Sequence, residues 1–315
     1  MGKYIGQRMV ALVVILFTVS IFAFLLIHLL PGNPAVVALG TGATPQNVAI
    51  FKHRYGLDKS LFEQYGIWMS HVLRGDLGTS FISYTTVNSS IGQALPVDLV
   101  LVAISQVMAL GLAIPLAFRC ARKPGGILDK IITTTTFVGL SLPAFVVIVL
   151  LVLVVAIHWS WTSLAPYQYA IGGGLWHNFL ALLLGALTLA IGSFVVYFRI
   201  LRSDLIATYQ EEFIVMARSK GLSRRRILWR HAFRPSSISL LATAGINVSG
   251  LISGTFIVEL LLGIPGLGKQ LIFATFSTDY LLVQGIVLVV ATLTVVLNFT
   301  IDVLFGLVDP RISRD

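Results

Sequence analysis

The stretch Glu211–Pro235, EEFIVMARSKGLSRRRILWRHAFRP, decides how this chain is read. It is basic, amphipathic and broken once, at Gly221. The sequence around it is mostly apolar: of 315 residues, 57% are hydrophobic and 11% charged, and the mean hydropathy is +0.91. Soluble domains carry roughly a quarter charged residues, so the composition points to an integral membrane protein. In such a chain a long charged loop needs a reason, and the reading here is a docking element for a soluble motor.

Working outward, six segments are long enough to cross a bilayer, which takes about 20 apolar residues each. They are Met9–Leu30, Pro96–Phe118, Ile131–Ile157, Asn178–Phe198, Ile238–Glu259 and Tyr280–Phe305. The fold expected is all-α, with an external segment between the first two spans and the charged loop between the fourth and fifth. The divisions expected are 1–30 for the N-terminal end and first span, 31–95 for the external segment, and 96–315 for the core, whose loop is 199–237.

Lysine and arginine set the orientation. All but five of the 22 basic residues fall on one face, and Lys52, Arg54, Lys59, Arg74 and Lys269 fall on the other. Both termini are therefore expected in the cytoplasm. The net charge of +9 reports topology and lipid contact, so no nucleic-acid partner is inferred. The first span is longer than the ~7–15-residue core of a signal peptide, and no A-x-A site follows it, so it is expected to be a retained anchor. The lone Cys120 excludes an intramolecular disulfide.

The external segment opens with turn signals (Pro31-Gly32-Asn33-Pro34, Gly40, Gly42, Pro45) and continues into two helical patterns, Gln46–Tyr55 and Leu61–Leu73. Gly75-Asp76-Leu77-Gly78-Thr79-Ser80 ends it. The loop His158–His177 is aromatic, which suits a membrane interface.

Within the charged loop, Gln210–Lys220 and Ser223–Phe233 read as short helices. Phe213, Ile214, Met216 and Ala217 share an apolar side in the first, and Ile227, Leu228 and Ala232 do so in the second. Glycine suits the left-handed position that ends a helix, and Ser223 suits the next N-cap. Arg224, Arg225 and Arg226 oppose the dipole of the second helix, so local helix stability does not explain them. Lipid contact would need their charge but neither the apolar side nor the glycine.

Ala217-Arg218-Ser219-Lys220-Gly221-Leu222-Ser223, followed by His231-Ala232-Phe233-Arg234, resembles the signature loop of ABC-importer permeases of the dipeptide, oligopeptide and nickel group, in its first-permease (B-type) branch. Further matches run in order: Gly75–Ser80, Gly263-Ile264-Pro265-Gly266-Leu267-Gly268, Asp279, Gln284-Gly285, Asp302 and Asp309-Pro310-Arg311. Val215-Met216-Ala217 stands where the broad importer motif has Glu-Ala-Ala, as is usual in this subgroup, whereas Pro235 and Ser239 depart from the family's pattern and blur where the second loop helix ends. The resemblance implies a type I ABC importer permease fold in a bacterial or archaeal cell membrane. It implies a second, homologous permease as heterodimer partner, two ATP-binding subunits that carry the ATP and Mg, and an extracytoplasmic binding protein. The loop would be a coupling helix seated in an ATPase cleft, and the residues carried over are Glu212, Ala217, Arg218, Lys220, Gly221, Leu222, Ser223, Arg226 and His231.

Two motifs mislead. Gly263–Gln270 is one residue short of a phosphate loop, because Gln270 stands where Ser or Thr must hold magnesium and a helix precedes it. The chain is therefore not expected to hydrolyse ATP or to hold a cofactor. Six histidines are scattered without ligand spacing, and no catalytic or metal site is assigned. In the fifth span, Gly250 and Gly254, with Asn247, Ser249 and Ser253, fit either close helix packing or a translocation surface. Asn298, in the last span, is open to the same two readings. A proton- or sodium-driven transporter would need ionisable groups inside the spans, whereas Asp98, Glu259 and Asp302 are expected at span ends. The substrate expected is a di- or oligopeptide, with nickel or a metal chelate as the alternative.

Overall fold

The computed structural model describes residues 2–29, 33–157 and 175–308. The aromatic loop up to residue 174, the Pro31-Gly32 pair and the Asp309-Pro310-Arg311 motif lie outside them. In chain order the helices are α1 (Gly2–Leu29), α2 (Pro34–Leu39), α3 (Pro45–Arg54), α4 (Leu61–Leu73), α5 (Val87–Arg122), α6 (Ile127–Ser141), α7 (Ala144–Leu151) and α8 (Leu175–Tyr209). They continue with α9 (Glu212–Ser219), α10 (Arg224–Arg226), α11 (Phe233–Leu262), α12 (Leu267–Phe276) and α13 (Tyr280–Val308). Among the described residues the only pairing of extended backbone is an isolated bridge, Thr79 with Thr86.

Five helices are long and apolar enough to span a membrane, and α6 with α7, bent by 110° at their break, brings the number to six where the pair is counted as one span. The expected span Ile131–Ile157 is not one continuous helix, and Pro143 is the reason. Proline disfavours helical backbone at the preceding residue, and Leu142 is extended, at φ −91° and ψ 123°. The helix that carries the second span begins at Val87, nine residues before the expected Pro96. Its true start signal is Thr86, whose Oγ1 accepts from Ser89 N at 3.3 Å, as an N-cap does. All five of these helices outrun the bilayer. At 1.5 Å per residue, the 35 residues of α8 reach about 50 Å, against a hydrocarbon core of roughly 30 Å.

The chain forms two compact units, residues 1–97 with 265–315, and residues 98–264. In the first, α1 packs along α13, and Arg8 pairs with Asp302. Helix α4 is started by the reciprocal Ser60–Glu63 capping box, which satisfies two orphan donors at once. It lies on α1, where Ser20 Oγ and Tyr65 OH meet at 2.7 Å and the Phe24 ring packs edge-on against Tyr65 and tilted against Trp68. Helix α3 starts at Pro45 under a Thr44 cap, the position where proline's missing donor costs nothing.

In the second unit, α5 presents Ala109, Ala113, Ala117 and Ala121 on one buried face. This four-residue spacing of small side chains allows close approach. Tyr197, Phe198, Leu201 and Leu205 of α8 fill the same core. A Cβ on Gly185 of α8 would meet Val258 at 3.0 Å, Ile264 at 3.1 Å and Leu101 at 3.4 Å, so there is no room for a larger residue. Arg202 of α8 holds Asp129 of α6 with two bonds, one of 2.6 Å, and Gly125 N donates to the same carboxylate at 2.8 Å. Asp98 is buried well inside α5, and Glu259 is buried in the last turn of α11. Asp98 stands about three turns inside α5, because that helix begins at Val87.

Candidate functional site

The charged loop folds as an elbow. Leu222 N bonds Ala217 O at 3.3 Å and Gly221 N bonds Arg218 O at 2.9 Å, a Schellman-type turn that closes α9. Gly221 takes the left-handed conformation, φ +76°, which L side chains enter only at a cost. Leu222 and Ala217 then meet in the core cluster. Ser223 caps the next helix, its Oγ accepting from Arg226 N at 3.4 Å.

The second half departs from the expectation of a separate helix ending near Phe233. α10 widens into a π-helical turn, Ile227–Ala232, and runs straight into α11. Phe233 N accordingly bonds Leu228 O, five residues back. The cause lies two residues on, at Pro235. A proline inside a helix removes one donor and crowds the carbonyl four residues earlier, and a wide turn relieves that crowding. The elbow is therefore rooted directly in a membrane span.

Burial splits the apolar side read from the sequence. Ile214, Ala217, Ile227, Leu228 and Ala232 are sealed into the core with the ends of α5 and α8. Trp229 packs on Phe118 at 4.5 Å and on Phe233 at 5.7 Å. Phe213, Val215 and Met216 remain exposed. Of the residues carried over by resemblance, Glu212, Arg218, Lys220, Gly221, Ser223 and Arg226 are exposed, Leu222 and His231 are half-buried, and Ala217 is buried. Arg218 lies over the Tyr209 ring at 5.6 Å. The outer surface is thus basic, with a small apolar patch, on a rigid base.

On α11 the small residues divide. A Cβ on Gly254 would meet Leu189 at 3.5 Å, whereas one on Gly250 would touch only its own helix, at Asn247 Oδ1 (3.8 Å). Ser253 is exposed and Ser249 half-buried. Asn247 hydrogen-bonds Tyr197, whose hydroxyl donates to Gln106 Oε1 at 2.6 Å. Gln106 in turn donates to Ala244 O at 3.0 Å. Packing thus explains Gly254 but leaves Gly250 and Ser253 unused within the chain. Asn298 is exposed on α13, in the other unit.

In the first unit, motifs that are far apart in sequence converge. Ser80 donates to Asp279. Asn88 Nδ2 donates to Gly75 O at 2.6 Å, and Asn88 Oδ1 accepts from Leu77 N at 2.9 Å. A Cβ on Gly285 would stand 2.4 Å from Val87 Cγ1, so the glycine lets α13 approach the start of α5. The buried Gln284 lies beside it. Nothing local in the sequence pairs these positions; the family resemblance marks Gly75–Ser80, Asp279 and Gln284-Gly285, and nothing in the sequence marks Val87 or Asn88. At the edge of this segment, the His53–Asp58 hydrogen bond (2.8 Å) holds the exposed Asp58 carboxyl below the usual carboxylate range.

A multi-pass helical membrane protein with a rigid basic elbow between its fourth and fifth spans is a transport permease by class. Residues 113–314 match the family described as binding-protein-dependent transport system inner membrane component, and residues 1–102 match its N-terminal companion. The chain belongs to that family, the permeases of ABC importers, which work with ATPase and binding-protein partners. A probable peptide ABC transporter permease protein, y4tP of Sinorhizobium fredii, is 31% identical over 99% of both chains. The dipeptide transport system permease protein DppB of Lactococcus lactis is 32% identical over 99% of both. The oligopeptide transport system permease protein AppB of Bacillus subtilis is 29% identical over 99% of this chain and 100% of its own.

Proposed function

We propose that this chain is one of two different permeases in an ATP-driven importer of di- or oligopeptides, set in a bacterial cell membrane with both termini in the cytoplasm. A binding protein delivers the peptide to the face that carries residues 33–86. Two ATP-binding subunits, which hold the ATP and Mg, dock on the elbow. The chain itself binds no nucleotide. The peptide names of relatives matched from end to end support this substrate over nickel or a chelate.

The observation that carries the reading is the construction of the elbow. Its inner apolar residues are locked into the core, and its turn is fixed by Gly221 and Ser223. Its second half is continuous with a span. A displacement imposed on Glu212, Arg218, Lys220 or Arg226 from the ATPase side therefore passes into α11 rather than being absorbed by a hinge. Ala217, Leu222 and His231 hold the elbow from beneath. ATP-driven closure of the two ATPases draws the elbows together and opens the path outward, and hydrolysis resets it. Asn247, Ser249, Ser253 and Asn298 belong to the translocation path, where small and polar side chains tolerate varied peptides.

Affinity purification from native membrane, followed by proteoliposome assays, tests this. Two ATPases, a second permease and a peptide-loaded binding protein should co-purify, and the set should import a labelled tripeptide on ATP addition. A chain that purifies alone, or a complex that moves nickel but no peptide, overturns the reading.

A further inference from the structure

The first unit holds a cavity of about 710 Å³, within the roughly 300–1,000 Å³ range of small-molecule sites. We propose that this cavity is a transit site that binds a short peptide by its C-terminal carboxylate and one apolar side chain. The proposal rests on the peptide-import reading and adds to it a place where the permease itself holds the cargo.

Three observations carry it. The first is the pair of aromatic walls. Phe51, Tyr55 and Phe81 form one cluster, with ring centroids 4.4–5.2 Å apart. Trp68 packs on Phe24 at 5.9 Å to form the other. All five line the cavity, and Tyr55 stays 50% exposed. Aromatic surface held rigid and only part covered accepts an apolar side chain of varied shape.

The second is the floor. Gln284 lines the cavity and is only 2% exposed, and its amide nitrogen has no hydrogen-bond partner. A buried amide without a partner is destabilising, so such groups are nearly always satisfied by protein, water or ligand. A peptide carbonyl is the acceptor this floor lacks. Gly285, pressed against Val87, fixes where Gln284 stands.

The third is the rim. Arg54 lines the opening and is exposed, and among the described residues no carboxylate lies within ion-pair range of it. Asp76 also lines the opening, with His71 at 3.3 Å. One cation and one anion around an aromatic interior match a zwitterion with an apolar side chain. A lipid acyl chain would fill the same volume but leave Gln284 and Arg54 without partners.

The test uses the full chain, purified with its partner subunits in phosphatidylethanolamine–phosphatidylglycerol nanodiscs without binding protein. The probe is the tripeptide Ala-Bpa-Ala, whose central residue is the photoreactive p-benzoylphenylalanine. Labelling should map to the segments holding Phe51, Trp68 or Phe81. Ala-Phe-Ala should compete, and its C-terminal amide should compete about tenfold less well, as expected for one lost charge-assisted bond. Arg54→Gln should weaken binding of the free acid by a similar factor and abolish the acid-over-amide preference. Gln284→Leu, an apolar replacement of similar size, should weaken acid and amide alike. Labelling elsewhere, no labelling, or equal competition by acid and amide overturns the site. Import of Ala-Phe-Ala by the wild-type complex with its binding protein separates the two claims. If import proceeds while the cavity stays unlabelled, only this inference falls. If no peptide is imported at all, it is the peptide reading of the whole protein that fails.

Discussion

The elbow between α8 and α11 and the segment between α1 and α5 are both built from short helices, yet their apolar residues go to different places. In the elbow, Ile214, Ala217, Ile227, Leu228 and Ala232 are consumed by the core, leaving a charged skin with a small patch at Phe213, Val215 and Met216. In the other segment, Phe51, Tyr55, Phe81 and Trp68 surround open volume, and polar side chains are buried near it: Ser80, Asp279 and Gln284. A part that transmits force needs its apolar surface closed, because loosely packed contacts yield before they push. A part that receives a ligand needs apolar surface left open. Under the proposed function, the contrast is that between a lever and a receptor within one polypeptide.

The sharpest way to break this contrast is to unmake the turn of the lever. Proline holds φ at about −65°. The elbow holds Gly221 at φ +76°, so in Gly221→Pro the Schellman turn cannot form. Substrate-stimulated ATPase activity should fall at least tenfold while the chain still inserts, and normal coupled turnover would end the lever account. Next comes the root. Asp129→Ala strips Arg202 of its carboxylate and Gly125 N of its acceptor. Arg202 is 25% exposed, so the loss should be about 2 kcal/mol, below the roughly 3–5 kcal/mol of a fully buried pair. It should be read as a lowered thermal midpoint of the detergent-solubilised chain. A smaller change is expected on the receptor side. Gly285→Ala puts a methyl group 2.4 Å from Val87 and should cost about 1–2 kcal/mol, as overpacking does. Val87→Ala in the same chain should recover most of that loss. If it does not, Gly285 serves something other than close approach.

The elbow was legible in the sequence because its determinants are local. A glycine, a serine three residues before a donor and a run of arginines write the turn into a short stretch, Ala217–Arg226. What was not legible depends on distant partners or on one misread proline. The alternating apolar and exposed faces of α9 follow from the position of α5, whose buried ridge Ala109–Ala121 looks in sequence like any apolar span. Pro96 reads as a helix start but lies within α5, while Pro143 reads as span interior and breaks the third span by 110°. The cluster of Ser80, Asp279 and Gln284 joins positions some two hundred residues apart, and no periodicity reports such a meeting. Five spans were found by hydropathy alone, because a helix crossing lipid must satisfy its own backbone and stay apolar throughout.

The smallest effect sharpens the comparison most. A Cβ at Gly221 meets nothing within 4 Å inside the chain. Gly221→Ala therefore tests backbone conformation alone, at about 1 kcal/mol for an alanine held left-handed. Gly221→Asn tests a residue that tolerates that conformation better. If both variants couple transport to ATPase nearly as the wild type does, the glycine is there for the turn. If both fail as Gly221→Pro does while the thermal midpoint barely moves, the missing side chain matters outside this chain. A partner's backbone then lies against Gly221, and the elbow is itself a receptor at its tip.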